Sequence, residues 1–168
     1  PSGGEAEILE GIQRAGMAQG FAFLAGDTDG RWARILATQT GLRIISVVPR
    51  REAELLRQNL LSATTLYGSR IHILPMKDFT QLPFAQYFAG VILAVGEEPP
   101  VPVRELYRLL RPAGGRLVFL DMDPEKALAA LGEAEIPDEE TRSMGSRILV
   151  ARNRLKGAWD WDSKQPGD

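Results

Sequence analysis

The chain has 168 residues, the size of one domain and long enough to bury a core. Hydrophobic residues make up 44% and charged residues 25%, which excludes a disordered chain, and no apolar run is long enough to suggest a membrane partner. A net charge of -2 gives no electrostatic footprint for nucleic acid, and one histidine with no cysteine removes disulfides, thiolate metal ligands and thiol nucleophiles together.

From Glu5 to Ala15 the apolar positions Ile8, Leu9 and Ile12 share one helical face, which predicts an amphipathic leading helix over 5–15. Phe21-Ala22-Phe23-Leu24 reads as a strand, and the turn Ala25-Gly26-Asp27-Thr28-Asp29-Gly30 then opens a helix with the inner stripe Trp32, Ile35 and Leu36. Gly41 ends that helix, and Leu42 to Val48, rich in β-branched residues, predicts a second strand. After Pro49 a helix running through Leu61 carries Leu55, Leu56 and Leu60 on one face. Ile71 to Leu74 and Gly90 to Val95 predict the next two strands, with His72 reading as a satisfied strand histidine. Behind Pro99, Pro100 and Pro102, the stripe Val103, Leu106, Leu109 and Leu110 predicts a helix that stops at Arg111-Pro112. Ala113-Gly114-Gly115 turns the chain into a fifth strand, Arg116 to Leu120. Asp123-Pro124 caps a short helix to Leu131, and Ser146 to Ala151 is the last strand.

Continuous apolar strands alternating with amphipathic helices predict a doubly wound α/β domain, its mostly parallel sheet covered by helices on both faces. The domain is expected over residues 1–155, with 156–168 as a polar tail carrying Trp159 and Trp161. In such sheets ligands bind at the carboxyl ends of the strands, near the point where the strand order reverses. Leu24 to Gly30, Val48 to Arg50, Pro75 to Asp78 and Ala94 to Glu98 fall there. A glycine-rich turn feeding a helix directs N–H groups at an anion, but Asp27 and Asp29 beside those donors would repel a pyrophosphate. An NAD or ATP site is therefore disfavoured, and no metal or Ser-His-Asp site is expected.

The order of segments resembles the class I S-adenosylmethionine-dependent methyltransferase family from about Gly20 to about Ala151. Phe23 to Gly30 occupies the place of that family's glycine-rich first motif, and Ile44 to Arg51 is similar to its second strand and following turn. Asp78-Phe79-Thr80-Gln81-Leu82-Pro83-Phe84 resembles the acidic residue followed by a Leu-Pro-Phe element. Val103 to Val118, with Pro112-Ala113-Gly114-Gly115 inside it, is similar to the helix, Pro-Gly-Gly turn and fifth strand. The resemblance implies an antiparallel last strand and S-adenosylmethionine as cofactor, with Gly26, Asp27, Thr28, Gly30, Val48 and Asp78 at the cofactor-binding positions. Glu97-Glu98 follows the fourth strand, where some members carry catalytic or substrate residues, yet no residue stands out as catalytic.

Three family positions have changed. The acidic residue two places before the first glycine is Leu24, the central glycine is Thr28, and the ribose-binding acid that closes the second strand is Val48. Valine accepts no hydrogen bond, and each hydroxyl left unpaired in a closed site costs on the order of 1 to 3 kcal/mol. Thr28 adds a Cβ and a methyl group where the backbone should approach the ligand. Asp78 matches the position that meets the adenine amino group, although a loop aspartate equally reads as a turn residue, and Asp27 and Asp29 as helix caps.

Leu66-Tyr67-Gly68 and Gly157-Ala158-Trp159-Asp160-Trp161 resemble the methyltransferase-like domain ahead of quinoprotein-type β-propellers in bacterial multidomain proteins. That likeness implies an adjacent β-propeller as partner, a periplasmic or secreted location, and a chain starting at Pro1 because it is an excised or processed piece. The expected function is a methyltransferase-fold pseudoenzyme with weakened or lost S-adenosylmethionine binding, a structural or ligand-binding module of a larger protein. The alternative is an active, cytoplasmic methyltransferase with a divergent first motif. A third reading makes Trp159 and Trp161 a docking segment for another domain.

Overall fold

The computed structural model describes residues 3–157, so Trp159, Trp161 and most of the expected polar tail lie outside the described residues. In chain order the elements are α1 (Gly3–Arg14), β1 (Gln19–Ala25), α2 (Arg31–Gln39), β2 (Gly41–Pro49), α3 (Arg50–Ala63), β3 (Ile71–Met76) and β4 (Val91–Val95). There follow α4 (Val103–Leu109), β5 (Arg116–Leu120), α5 (Pro124–Glu133), a 3-10 turn at Asp138–Glu140, β6 (Thr141–Met144) and β7 (Arg147–Ala151).

The strands form one seven-stranded sheet in the order β3-β2-β1-β4-β5-β7-β6. β1 lies between two parallel neighbours, with Ala22 to Ala25 opposite Ile44 to Val47 on one side and Val91 to Ala94 on the other. Side chains along it alternate between the faces. Ala22 and Leu24 join the core beneath α1, α2 and α3, whereas Phe23 and Ala25 join the core beneath α4 and α5. The fold is thus doubly wound as expected, and the strand order reverses between β1 and β4.

β7 is antiparallel to β5, as the resemblance implied. It is followed outward by β6, a strand absent from the sequence reading, paired antiparallel from Thr141↔Val150 to Met144↔Arg147. Thr-Arg-Ser-Met shows no apolar alternation because an edge strand with a single partner is largely solvated. The leading helix also begins earlier than predicted, at Gly3, and stops at Arg14.

No helix covers the connection from β3 to β4 over residues 77–90. An aromatic stack packs there instead: Phe88 lies 4.7 Å from Phe21 and 5.2 Å from Phe84, and Phe84 meets Phe23 edge-on at 5.7 Å. α4 holds the coil in place. The Glu105 carboxylate accepts the Leu82 N–H at 2.8 Å, while Arg108 donates to the Phe84 and Leu82 carbonyls at 2.8 and 3.1 Å and to Glu105 itself at 2.9 Å.

Candidate functional site

The sheet delivers the predicted residues to its carboxyl edge, but the turn after β1 uses most of its polar groups on itself. Asp27 is only 1% exposed, and its carboxylate accepts the backbone N–H groups of Trp32 at 3.2 Å and Ala33 at 2.9 Å. These are first-turn donors of α2, the groups that a helix N-terminus otherwise offers to a ligand. Burial is the largest influence on Asp27 and raises its pKa to about 6, against the lowering effect of the two N–H groups. Asp29 accepts the Arg31 N–H at 3.0 Å from the solvent side. Both aspartates therefore act as caps for α2.

The two glycines of the turn have conformational and packing reasons to be glycine. Gly26 has φ 86°, and a Cβ there would lie 2.5 Å from the Val95 carbonyl oxygen and 3.2 Å from Pro100 Cδ. Gly30 has φ 72°, and a Cβ would fall 2.8 Å from a Leu60 methyl and 2.9 Å from a Leu56 methyl. At Gly26 the chain after β4 thus closes onto the end of β1, across the crevice where the strand order reverses. Thr28 is exposed at the tip, its N–H donating to the Gly26 carbonyl at 2.9 Å.

Val48 is 0% exposed and belongs to the apolar cluster under α2 and α3. Two residues earlier on the same strand, the buried Ser46 hydroxyl has no partner. Asp78 is exposed, and its carboxylate accepts both the N–H and the hydroxyl of Thr80, at 2.8 and 2.6 Å. Those bonds, the hydroxyl first, hold its pKa below the ordinary carboxylate value. Glu97 and Glu98 are exposed in the loop after β4.

An open groove of about 430 Å³ lies beside this edge, between α4 and α5. Pro99, Val101, Phe119 and Met122 are its apolar lining, and Glu98, Arg104 and Glu133 its charged lining. None of the six predicted cofactor positions lines it. The sequence reading missed Glu105 and Arg108, which tie the Leu-Pro-Phe element to α4. Their spacing of three on a helix is a legible ion-pair signal; their grip on a coil more than twenty residues earlier is not. Among the described residues, no group of three or more His, Cys, Asp or Glu side chains is placed to hold a metal ion.

No family model matches the sequence, and no curated protein matches it. Solved structures do match. A putative S-adenosyl-L-methionine-dependent methyltransferase from Methanococcus maripaludis superimposes with a TM-score of 0.71 at 20% identity, covering 90% of this chain and 86% of that one. Geranyl diphosphate C-methyltransferase from Streptomyces coelicolor, in complex with Mg2+, geranyl diphosphate and S-adenosyl-L-homocysteine, gives 0.61 at 12% identity over 90% of this chain and 79% of its own. The 4+2 cyclase SpnF gives 0.58 at 18% identity over 77% of this chain and 57% of its own. The chain therefore has the class I methyltransferase fold, and at these identities the likeness concerns fold alone.

Proposed function

We propose that this is a methyltransferase-fold domain with weakened or lost S-adenosylmethionine binding, serving as a structural or ligand-binding module of a larger protein. The observation that carries the reading is the buried Asp27 carboxylate, which takes up the Trp32 and Ala33 N–H groups at the start of α2. Val48, packed wholly inside the core at the end of the neighbouring β2, supports it too, since the ribose hydroxyls find no acceptor there. Asp78 retains its place and spends its carboxylate on Thr80. On this reading the residues at the cofactor positions do not fit S-adenosylmethionine.

Fold gives no contrary argument. The same architecture carries a methyltransferase in one solved structure and a 4+2 cyclase in another. The groove between α4 and α5, apolar with the charged side chains of Glu98, Arg104 and Glu133, is where a ligand-binding role of this module would be exercised. Calorimetric titration with S-adenosylmethionine and S-adenosylhomocysteine tests the reading. Silence at millimolar ligand is expected, and micromolar binding would overturn it in favour of an active enzyme with a divergent first motif.

A further inference from the structure

At the opposite end of the sheet from the glycine turn, where β5 begins and β7 ends, lies a groove of about 310 Å³ lined by Arg116, Arg142, Arg152, Arg154 and Asn153. Its floor is rigid. The turn before β5 and the chain leaving β7 are stapled by Ala113 N–H to Asn153 O at 3.0 Å, Gly114 N–H to Arg152 O at 3.0 Å and Arg152 N–H to Gly115 O at 2.9 Å. Arg152 is itself immobilised: its guanidinium donates to the carbonyls of Tyr107 at 2.5 Å and Leu110 at 2.8 Å, and lies 4.0 and 4.9 Å from the Tyr107 and Tyr87 ring centres.

Strand register brings Arg116 and Arg142 to one face. Arg116 pairs with Ala151, Val118 with Leu149, and Leu149 with Arg142, so the two arginines flank β7 on the same side. Among the described residues neither has a carboxylate partner and no acidic side chain lines the groove. Burial, and then the nearby Arg142 charge, hold the Arg116 pKa below its ordinary value. Glu140, 3% exposed behind the groove, is already engaged: it accepts the Tyr107 hydroxyl at 2.5 Å and the Asn153 N–H at 2.8 Å.

Arg116 and Arg142, two like charges with no carboxylate partner among the described residues, raise the energy of the folded chain, and a bound anion relieves it. A carboxylate neutralises one guanidinium. A phosphate monoester carries nearly two charges and three acceptor oxygens, and planar guanidinia match it bidentately. A long nucleic acid is disfavoured by the net charge of -2 on the chain as a whole.

We propose that this groove binds the phosphoryl group of a small phosphorylated ligand through the guanidinia of Arg116 and Arg142, at a site separate from the carboxyl-edge crevice. The full chain is titrated with pyrophosphate as probe, by calorimetry and by thermal unfolding, against sodium chloride at equal ionic strength and without S-adenosylmethionine. A saturable rise in Tm with pyrophosphate alone is expected. Arg142→Gln, at an exposed position, is expected to weaken binding about tenfold, Arg142→Lys less, and Arg34→Gln on α2 not at all. An equal rise in sodium chloride, or unchanged binding by Arg142→Gln, overturns the proposal. Co-sedimentation with phosphatidic acid vesicles that pyrophosphate competes away assigns the phosphoryl group to a lipid headgroup. Pyrophosphate binding without vesicle binding assigns it to a soluble ester.

Discussion

The Ala33 backbone N–H donates to the Asp27 carboxylate at 2.9 Å, so the helix after the glycine turn is capped by a side chain from within that turn. Burial pushes the Asp27 pKa up to about 6 from 3.8. Between these values the folded chain binds more protons than the unfolded one, so this carboxylate makes stability fall as pH rises through the window. Asp27→Asn does not titrate. Relative to that variant, the parent is expected to lose about 2 kcal/mol from pH 3.8 to about 6, measured by urea unfolding at a series of pH values. Parallel curves would assign the titration elsewhere.

Gly26→Ala is expected to cost roughly 2 to 4 kcal/mol, because it combines a left-handed backbone with a clash against the Val95 carbonyl, which is backbone and cannot swing away. Gly30→Ala should cost about 1 to 2 kcal/mol, since its obstacles are the ends of the Leu56 and Leu60 side chains. Thermal unfolding ranks the two. The reverse order would mean that the close approach to the end of β4 is not what Gly26 serves.

Val48→Asp, the change that writes the family's ribose-binding acid back into the sequence, is expected to destabilise the fold by about 3 to 5 kcal/mol rather than to create affinity. The position is 0% exposed within an apolar cluster, and an unpaired charge there has nothing to bind it. Unfolding and titration of a Val48→Asp, Thr28→Gly double variant check this together. A stable double variant that gains S-adenosylmethionine binding would show the crevice to be open.

Arg108→Ala removes the partner of a Glu105 carboxylate that is 8% exposed, and releases the Leu82 and Phe84 carbonyls. A loss of about 2 kcal/mol is expected, smaller than for a fully buried pair because Arg108 is partly solvated. Hydrogen exchange at the Leu82 amide should accelerate while the β1 amides stay protected. Uniform acceleration would mean that the pair supports the whole fold rather than the coil over residues 77–90.

The four inner parallel strands were legible because a strand buried on both faces reads as a largely continuous apolar run, as at Phe23-Leu24 and Ile92-Leu93. β6 was not, since Thr141 to Met144 needs only one partner and faces water. The role of Asp27 was half legible. An aspartate before a helix reads as a cap, but caps ordinarily reach two or three residues ahead, and Asp27 reaches five and six because Gly30 turns the chain through the left-handed region.

By itself the sequence determined the helices and strands other than β6, in their order, and the doubly wound, mostly parallel sheet, because local periodicity and apolar runs follow directly from which faces are buried. Tertiary structure alone decided what the residues at the expected cofactor positions do. It turned the Asp27 carboxylate onto Trp32 and Ala33, sank Val48 under α2 and α3, and gathered Arg116 and Arg142 on either side of β7. Each of these depends on groups meeting across the sheet or around a turn. Their distances are set by packing, which residue spacing along the chain does not encode.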